Sequence, residues 1–245
     1  MNHIATRAAF AVMLAAIVVS CELVDPETGD RNVSMNVTFD LRSSTTIGED
    51  GIPECRSVAR EVVLTVPDST YRDTVDALNE PVTFDSITVN TGSVRFSADV
   101  MSNSERAKRL FSGSTTRDIS GNKFEDVFIM LEKIDDVPVM EACATGDDLS
   151  IQIRNRGLGT LSWTINPLET KDCLDEADLD VACVSFMPQS GQLEAGATEG
   201  VMVTVLAPQV TQTFETRINS AQGYIDFSVT PQQNAGLNVR LVPVN

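Results

Sequence analysis

"DLSIQIRNRGLGTLSWTINP", residues 148–167, decides the fold. Leu149, Ile151 and Ile153 alternate with polar neighbours, and Leu161, Trp163 and Ile165 do the same after an interval holding Gly157 and Gly159. Successive side chains of an extended chain point to opposite faces, so each run reads as a strand with one apolar face. Downstream, residues 200–208 repeat the pattern with Val201, Val203 and Val205, and "TFETRINS" (213–220), "YIDFSVTP" (224–231) and "LNVRLVPV" (237–244) follow it. With "VACVSFMP" (181–188), these runs predict about seven short strands joined by turns, an antiparallel sandwich.

Upstream the period is also two. Val33, Met35, Val37, Phe39 and Leu41 alternate within residues 32–41, and Val62, Leu64 and Val66 within 61–67. Residues 81–89, 92–100 and 126–134 are further strand candidates, separated by polar stretches with Gly and Pro. "SNSERAKRLF" (102–111) fits either a short helix or the end of a long hairpin. Pro138 and the acidic pairs of "DDVPVMEACATGD" (135–147) suggest a junction between two halves.

Both halves carry likenesses. Residues 93–131 hold an aromatic-x-Ala-x-Val strand, "FSADV", then "RLFSGSTTRDISG" and the alternating "DVFIML". That order resembles an immunoglobulin-like module of bacterial envelope lipoproteins. "IRNRGLGTLSWTINP" (153–167), "VSFMPQSGQLEAGATEGVMVTV" (184–205) and "INSAQGYIDFSV" (218–229) resemble the BACON-type immunoglobulin-like domain over roughly residues 145 to 244. The resemblance implies a core strand for Trp163 and turns shaped by Pro188, Gly191 and Gly196. This chain departs from the pattern in having Ala182 and Cys183, with the insertion "CLDEADLDVAC", where the family often has an aromatic. A binding role of the family's loops therefore transfers less readily.

The chain begins "MNHIATRAAFAVMLAAIVVSC", with Arg7 ahead of an apolar core from Ala8 to Val19. Twelve helical residues span about 18 Å, short of a hydrocarbon layer of about 30 Å, so the segment reads as a secretory signal. Val18-Val19-Ser20-Cys21 resembles the lipobox of bacterial lipoproteins. That resemblance implies cleavage before Cys21, a diacylglycerol on its sulfur and an acylated amino terminus. Each buried CH₂ of such chains stabilises anchoring by about 0.8 kcal/mol. Glu22 replaces the Asp that resembles an inner-membrane retention signal, which points to the outer membrane.

Five cysteines are present, Cys21, Cys55, Cys143, Cys173 and Cys183. Lipid on Cys21 leaves four, an even number for an oxidising compartment, with three possible connectivities. Cys173 and Cys183 bound one short loop and are paired on that ground, which leaves Cys55 with Cys143. In the loop-entropy account the short link contributes roughly 3 kcal/mol and the long one roughly 4–5 kcal/mol.

The formal charge is −17, and loss of residues 1–20, whose one charged side chain is Arg7, takes it to −18. So acidic a surface repels phosphate backbones, and no nucleic-acid partner is expected. His3 is the lone histidine and lies in the segment expected to be removed. The mature chain then lacks the base of Ser-His-Asp and Cys-His catalysis and any imidazole metal ligand. Asp172, Asp175, Glu176, Asp178 and Asp180 could gather oxygens around Ca²⁺. Their spacing is not that of an EF-hand and no glycine makes the turn, so the favoured reading is a solvated loop closed by a disulfide. No cofactor, catalytic residue or metal site is expected.

The expectation is an all-β chain, two tandem immunoglobulin-like antiparallel β-sandwiches after an N-terminal lipoprotein signal peptide. Residues 1–20 are the signal peptide, 21–31 the lipidated cysteine and tether, and 32–136 the first sandwich. Residues 137–144 are the junction and 145–245 the BACON-like second sandwich. The expected function is a non-catalytic lipoprotein of the bacterial envelope, bound to the membrane by its lipid and to an envelope or surface protein by its modules. A carbohydrate-binding accessory is the alternative. Mass spectrometry of the membrane-extracted chain is expected to show residues 1–20 removed and acyl groups on Cys21, and Cys21→Ser to release the protein from the membrane fraction. An intact leader before an unmodified Cys21 would contradict this.

Overall fold

The computed structural model describes residues 31–39, 54–75, 78, 81–120, 126–144, 150–166, 183–206, 213–232 and 236–241. All regular elements among them are strands. The first eight are β1 (Arg31–Phe39), β2 (Glu54–Ser57), β3 (Ala59–Val66), β4 (Ser69–Thr74), β5 (Val82–Val89), β6 (Gly92–Ser102), β7 (Arg109–Ile119) and β8 (Asp126–Lys133). Then come β9 (Met140–Ala144), β10 (Ser150–Asn155), β11 (Leu161–Ile165), β12 (Cys183–Met187) and β13 (Ser190–Leu193). The last are β14 (Thr198–Leu206), β15 (Phe214–Ser220), β16 (Gly223–Gln232) and β17 (Gly236–Leu241).

Alternation explains the strands. Val62, Leu64 and Val66 of β3 are buried, as are Val127, Ile129 and Leu131 of β8 and Leu161, Trp163 and Ile165 of β11. Their neighbours on the other face are mostly solvated. Residues 102–111 are a hairpin end, with β6 closing onto β7 through a Ser102–Lys108 backbone bond of 2.8 Å.

Seven strands form one sheet in the order β4-β3-β6-β7-β8-β1-β5, and its outermost strands, β4 and β5, touch, so the sheet curls around its apolar face. β1 and β8 pair in parallel; the other paired strands are antiparallel. The second half packs two five-stranded sheets, β12-β14-β10-β9-β2 and β13-β11-β15-β16-β17. Phe186 and Phe227 meet between them edge to face at 5.6 Å, a preferred aromatic geometry.

The expected junction is not a linker. Residues 140–144 form β9, an inner strand of the second half, buried on both faces. Met140, Ala142 and Ala144 join the core, whereas Glu141 and Cys143 face the other way. Composition hid this strand because "MEACA" has no β-branched residue and an acid at its second position. β2 also crosses the expected boundary. It follows β1 in sequence yet pairs with β9, Cys55 directly opposite Cys143. Those two cysteines are disulfide-bonded, across a sequence separation of 88. The buried apolar side chains of both halves form one contiguous cluster, from Val58 to Val229.

Two side-chain amides fix the arrangement, one between the halves and one within the second. Asn103, after β6, donates from Nδ2 to the Tyr224 carbonyl at 2.7 Å and accepts the Tyr224 N–H at 3.0 Å. Lys108 adds a bond to the Ala221 carbonyl at 2.6 Å. The second amide is Asn155, 0% exposed. Its Oδ1 accepts the N–H groups of Val139 and Gly157 at 3.2 and 3.0 Å, and its Nδ2 donates to the carbonyls of Gly159 and Leu193 at 2.6 and 3.0 Å. Gly157 must be small here, because a Cβ would overlap the Val137 carbonyl oxygen. Truncating the side chain strands four buried groups, each costing about 1–3 kcal/mol when unpaired. Asn155→Ala is therefore expected to lower unfolding free energy by at least about 3 kcal/mol, measured by chemical denaturation.

Candidate interaction surface

The residues singled out for chemistry fall into different places. Cys21, Cys173, Asp172, Asp175, Glu176, Asp178 and Asp180 lie outside the described residues, and so does the Cys173–Cys183 pairing. Cys183 starts β12. Cys55, Cys143 and Glu141 converge, their ligand atoms within 4.8 Å of one another. Both sulfurs are consumed by the disulfide, and a metal would lack thiolates there. The Glu141 carboxylate is also engaged. Arg156 Nε lies 2.7 Å from it and an Arg154 guanidinium nitrogen 3.8 Å, which offsets the cost of keeping the carboxylate mostly buried.

Trp163 is 1% exposed, with no hydrogen-bond partner for its Nε1 among the described residues. A sugar cannot stack on a ring enclosed by core. On the outer face of the last sheet, by contrast, Arg217 lies 3.6 Å over the Tyr224 ring and makes two bonds to Asp226, at 2.6 and 3.0 Å. The hydrogen bond to Asp226 raises the Arg217 pKa above its ordinary value, partly offset by burial, so the guanidinium remains charged. Asn219 and Asn166 bond at 2.9 Å nearby, giving a polar sheet face with one aromatic ring.

A different face stands out in the first half. Phe128 and Met130 of β8 are 56% and 65% exposed, although their strand neighbours Val127, Ile129 and Leu131 are buried. They line an open groove of 660 Å³ shared with β6 and β7. Its floor is small: Ser97, Ser112, Gly113 and Ser114. Its charges are Arg95, Asp99, Arg109 and Glu132, with Arg109 Nε 3.5 Å from Asp99 and Arg95 3.4 Å from the Ser114 hydroxyl.

Strand geometry creates the groove. β8 pairs along one edge with β1 from Asp126 to Leu131, and on its other edge with β7 at Glu132–Ser112 and Lys133–Phe111, before which β7 and β8 diverge. At the divergence Gly113 sits against the β8 backbone, where a Cβ would overlap the Met130 carbonyl oxygen. β8 can turn away from β7 there while its alternate side chains remain in solvent. Exposed apolar side chains rimmed by charge mark contact surfaces on soluble proteins. The alternation of "DVFIMLEKI" signalled a strand but not that Phe128 and Met130 would be on its wet face, since every residue from Val127 to Leu131 is apolar. Another exposed apolar pair, Met187 and Met202, sits directly opposed on β12 and β14.

Gly113→Ala forces β7 and β8 apart and is expected to cost about 1–3 kcal/mol by thermal or chemical denaturation. Ser114→Ala next to it is expected to stay within about 0.5 kcal/mol. Compared with known proteins, the chain matches no family model and no curated protein, so this surface is read from its own chemistry alone.

Proposed function

We propose that the chain is a non-catalytic, lipid-anchored protein of the bacterial envelope, held at the outer membrane on its periplasmic or external side. Its immunoglobulin-like modules, the second of BACON type, serve protein-partner binding, adhesion or structural support. The observation that carries this reading is the groove of β6, β7 and β8. Phe128 and Met130 offer about the kind of exposed apolar area that binding desolvates, and the small floor leaves room for a partner's side chains. Joining the halves through β2, β9 and the Asn103 bonds suits the reading, because a rigid body spends less conformational entropy on binding than a hinged one.

A carbohydrate-binding accessory is the second reading. Its support is the polar face around Tyr224, Arg217, Asp226 and Asn219, where an aromatic edge and several donors lie together. The two readings separate in one comparison. Cross-linking of the native lipoprotein in its membrane is expected to yield a protein adduct that the double variant Phe128→Ala, Met130→Ala loses while keeping its thermal midpoint. Saturable binding on a glycan array that disappears in Tyr224→Ala, with no adduct, would reverse the order.

A further inference from the structure

The groove face of β6, β7 and β8 is self-complementary, and we infer that its partner is a second copy of this chain. The inference rests on reading this face as a docking surface. Register places the relevant side chains. Asp99 of β6 pairs with Ser112 of β7, and Ser112 pairs with Glu132 of β8, so both carboxylates stand in one row across the strands. Arg95 lies four residues along β6 from Asp99, and Phe128 four residues along β8 from Glu132. Four residues of extended chain span about 13 Å, which puts Arg95 and Phe128 together at the opposite end. Between the ends lie Ser97, Ser114 and Met130, uncharged and low apart from the methionine.

One end is thus cationic and aromatic, the other carries two carboxylates with Arg109 beside Asp99 and so one net negative charge, and the middle is neutral. A two-fold axis lying in the face and running across the strands exchanges the two ends. It sets Arg95 of each copy over the Asp99–Glu132 row of its mate, twice, with Met130 against Met130 at the centre. Isologous pairing requires this self-matching of one patch. Charge also selects the place. The chain carries −17 overall, so most faces of two copies repel, whereas this groove balances Arg95 and Arg109 against Asp99 and Glu132.

Sedimentation of the full-length chain in non-ionic detergent is expected to show a dimer. Arg95→Glu places like charges at both ends and weakens it about tenfold or more. Glu132→Arg weakens it as well, and an equimolar mixture of the two variants restores the wild-type affinity, because each then meets the opposite sign. The restoration doubles as proof that both variants fold. A monomeric wild type overturns the inference, and so does a mixture that associates no better than its components. If a monomeric wild type still yields the Phe128- and Met130-dependent adduct with another protein, the docking surface stands and the second copy is removed. A monomer with no adduct removes both.

Discussion

Four backbone groups that would otherwise be stranded away from water converge on one side chain, the buried carboxamide of Asn155. An amide offers two donors and an acceptor with two lone pairs, so it can satisfy all four at once. The groups belong to the segment before β9, to the turn between β10 and β11, and to the end of β13. Three separate pieces of chain are therefore pinned at the same end of the second half. Trp163 and its strand enter the core directly from that turn, and the curvature of the turn brings Gly157 against the Val137 carbonyl. Had the position been apolar, the same backbone would have had to open to solvent.

The path of the chain matters as much as its strands. After β1 it visits the second half as β2, then returns as β3 to the first sheet. Val58, fully buried at that return, donates its N–H to the Met140 carbonyl, and its carbonyl accepts the backbone N–H of Asn103. The Cys55–Cys143 bond closes the excursion covalently. Among the described residues, a contiguous core with a crossing strand, a disulfide and a side-chain clasp joins the halves in place of an ordinary domain linker. The surface features on the two halves then keep a constant relation.

Acidity shapes what such a face can do. Strong negative charge keeps the exterior soluble and discourages polyanions, and it leaves specificity to the few regions where charge is balanced and apolar atoms are uncovered. The groove beside β8 has both properties. Its shape comes from the short ladder between β7 and β8, at Ser112–Glu132 and Phe111–Lys133, while the rest of β8 pairs with β1 on its other edge.

The all-β class, the faces of β3, β10 and β11, and the buried place of Trp163 were legible in local sequence, because a period of two in apolar residues is a property of neighbours along the chain. Of the turn residues the resemblance implied, Gly196 lies in a turn with φ +76° and Pro188 between β12 and β13, whereas Gly191 lies inside β13 opposite Trp163. The place of β2, the strand hidden in "MEACA" and the meeting of Asn103 with Tyr224 were not legible. Nor was the groove, since "VFIML" is apolar throughout and only packing decides which face stays wet. Each of these depends on which strand lies next to which, and pairing between distant segments leaves no periodic trace in either one. Sequence alone determined that this chain would fold as layered strands; the tertiary structure decided how the layers interlock, because hydrogen-bond partners and desolvation are settled only when remote segments meet.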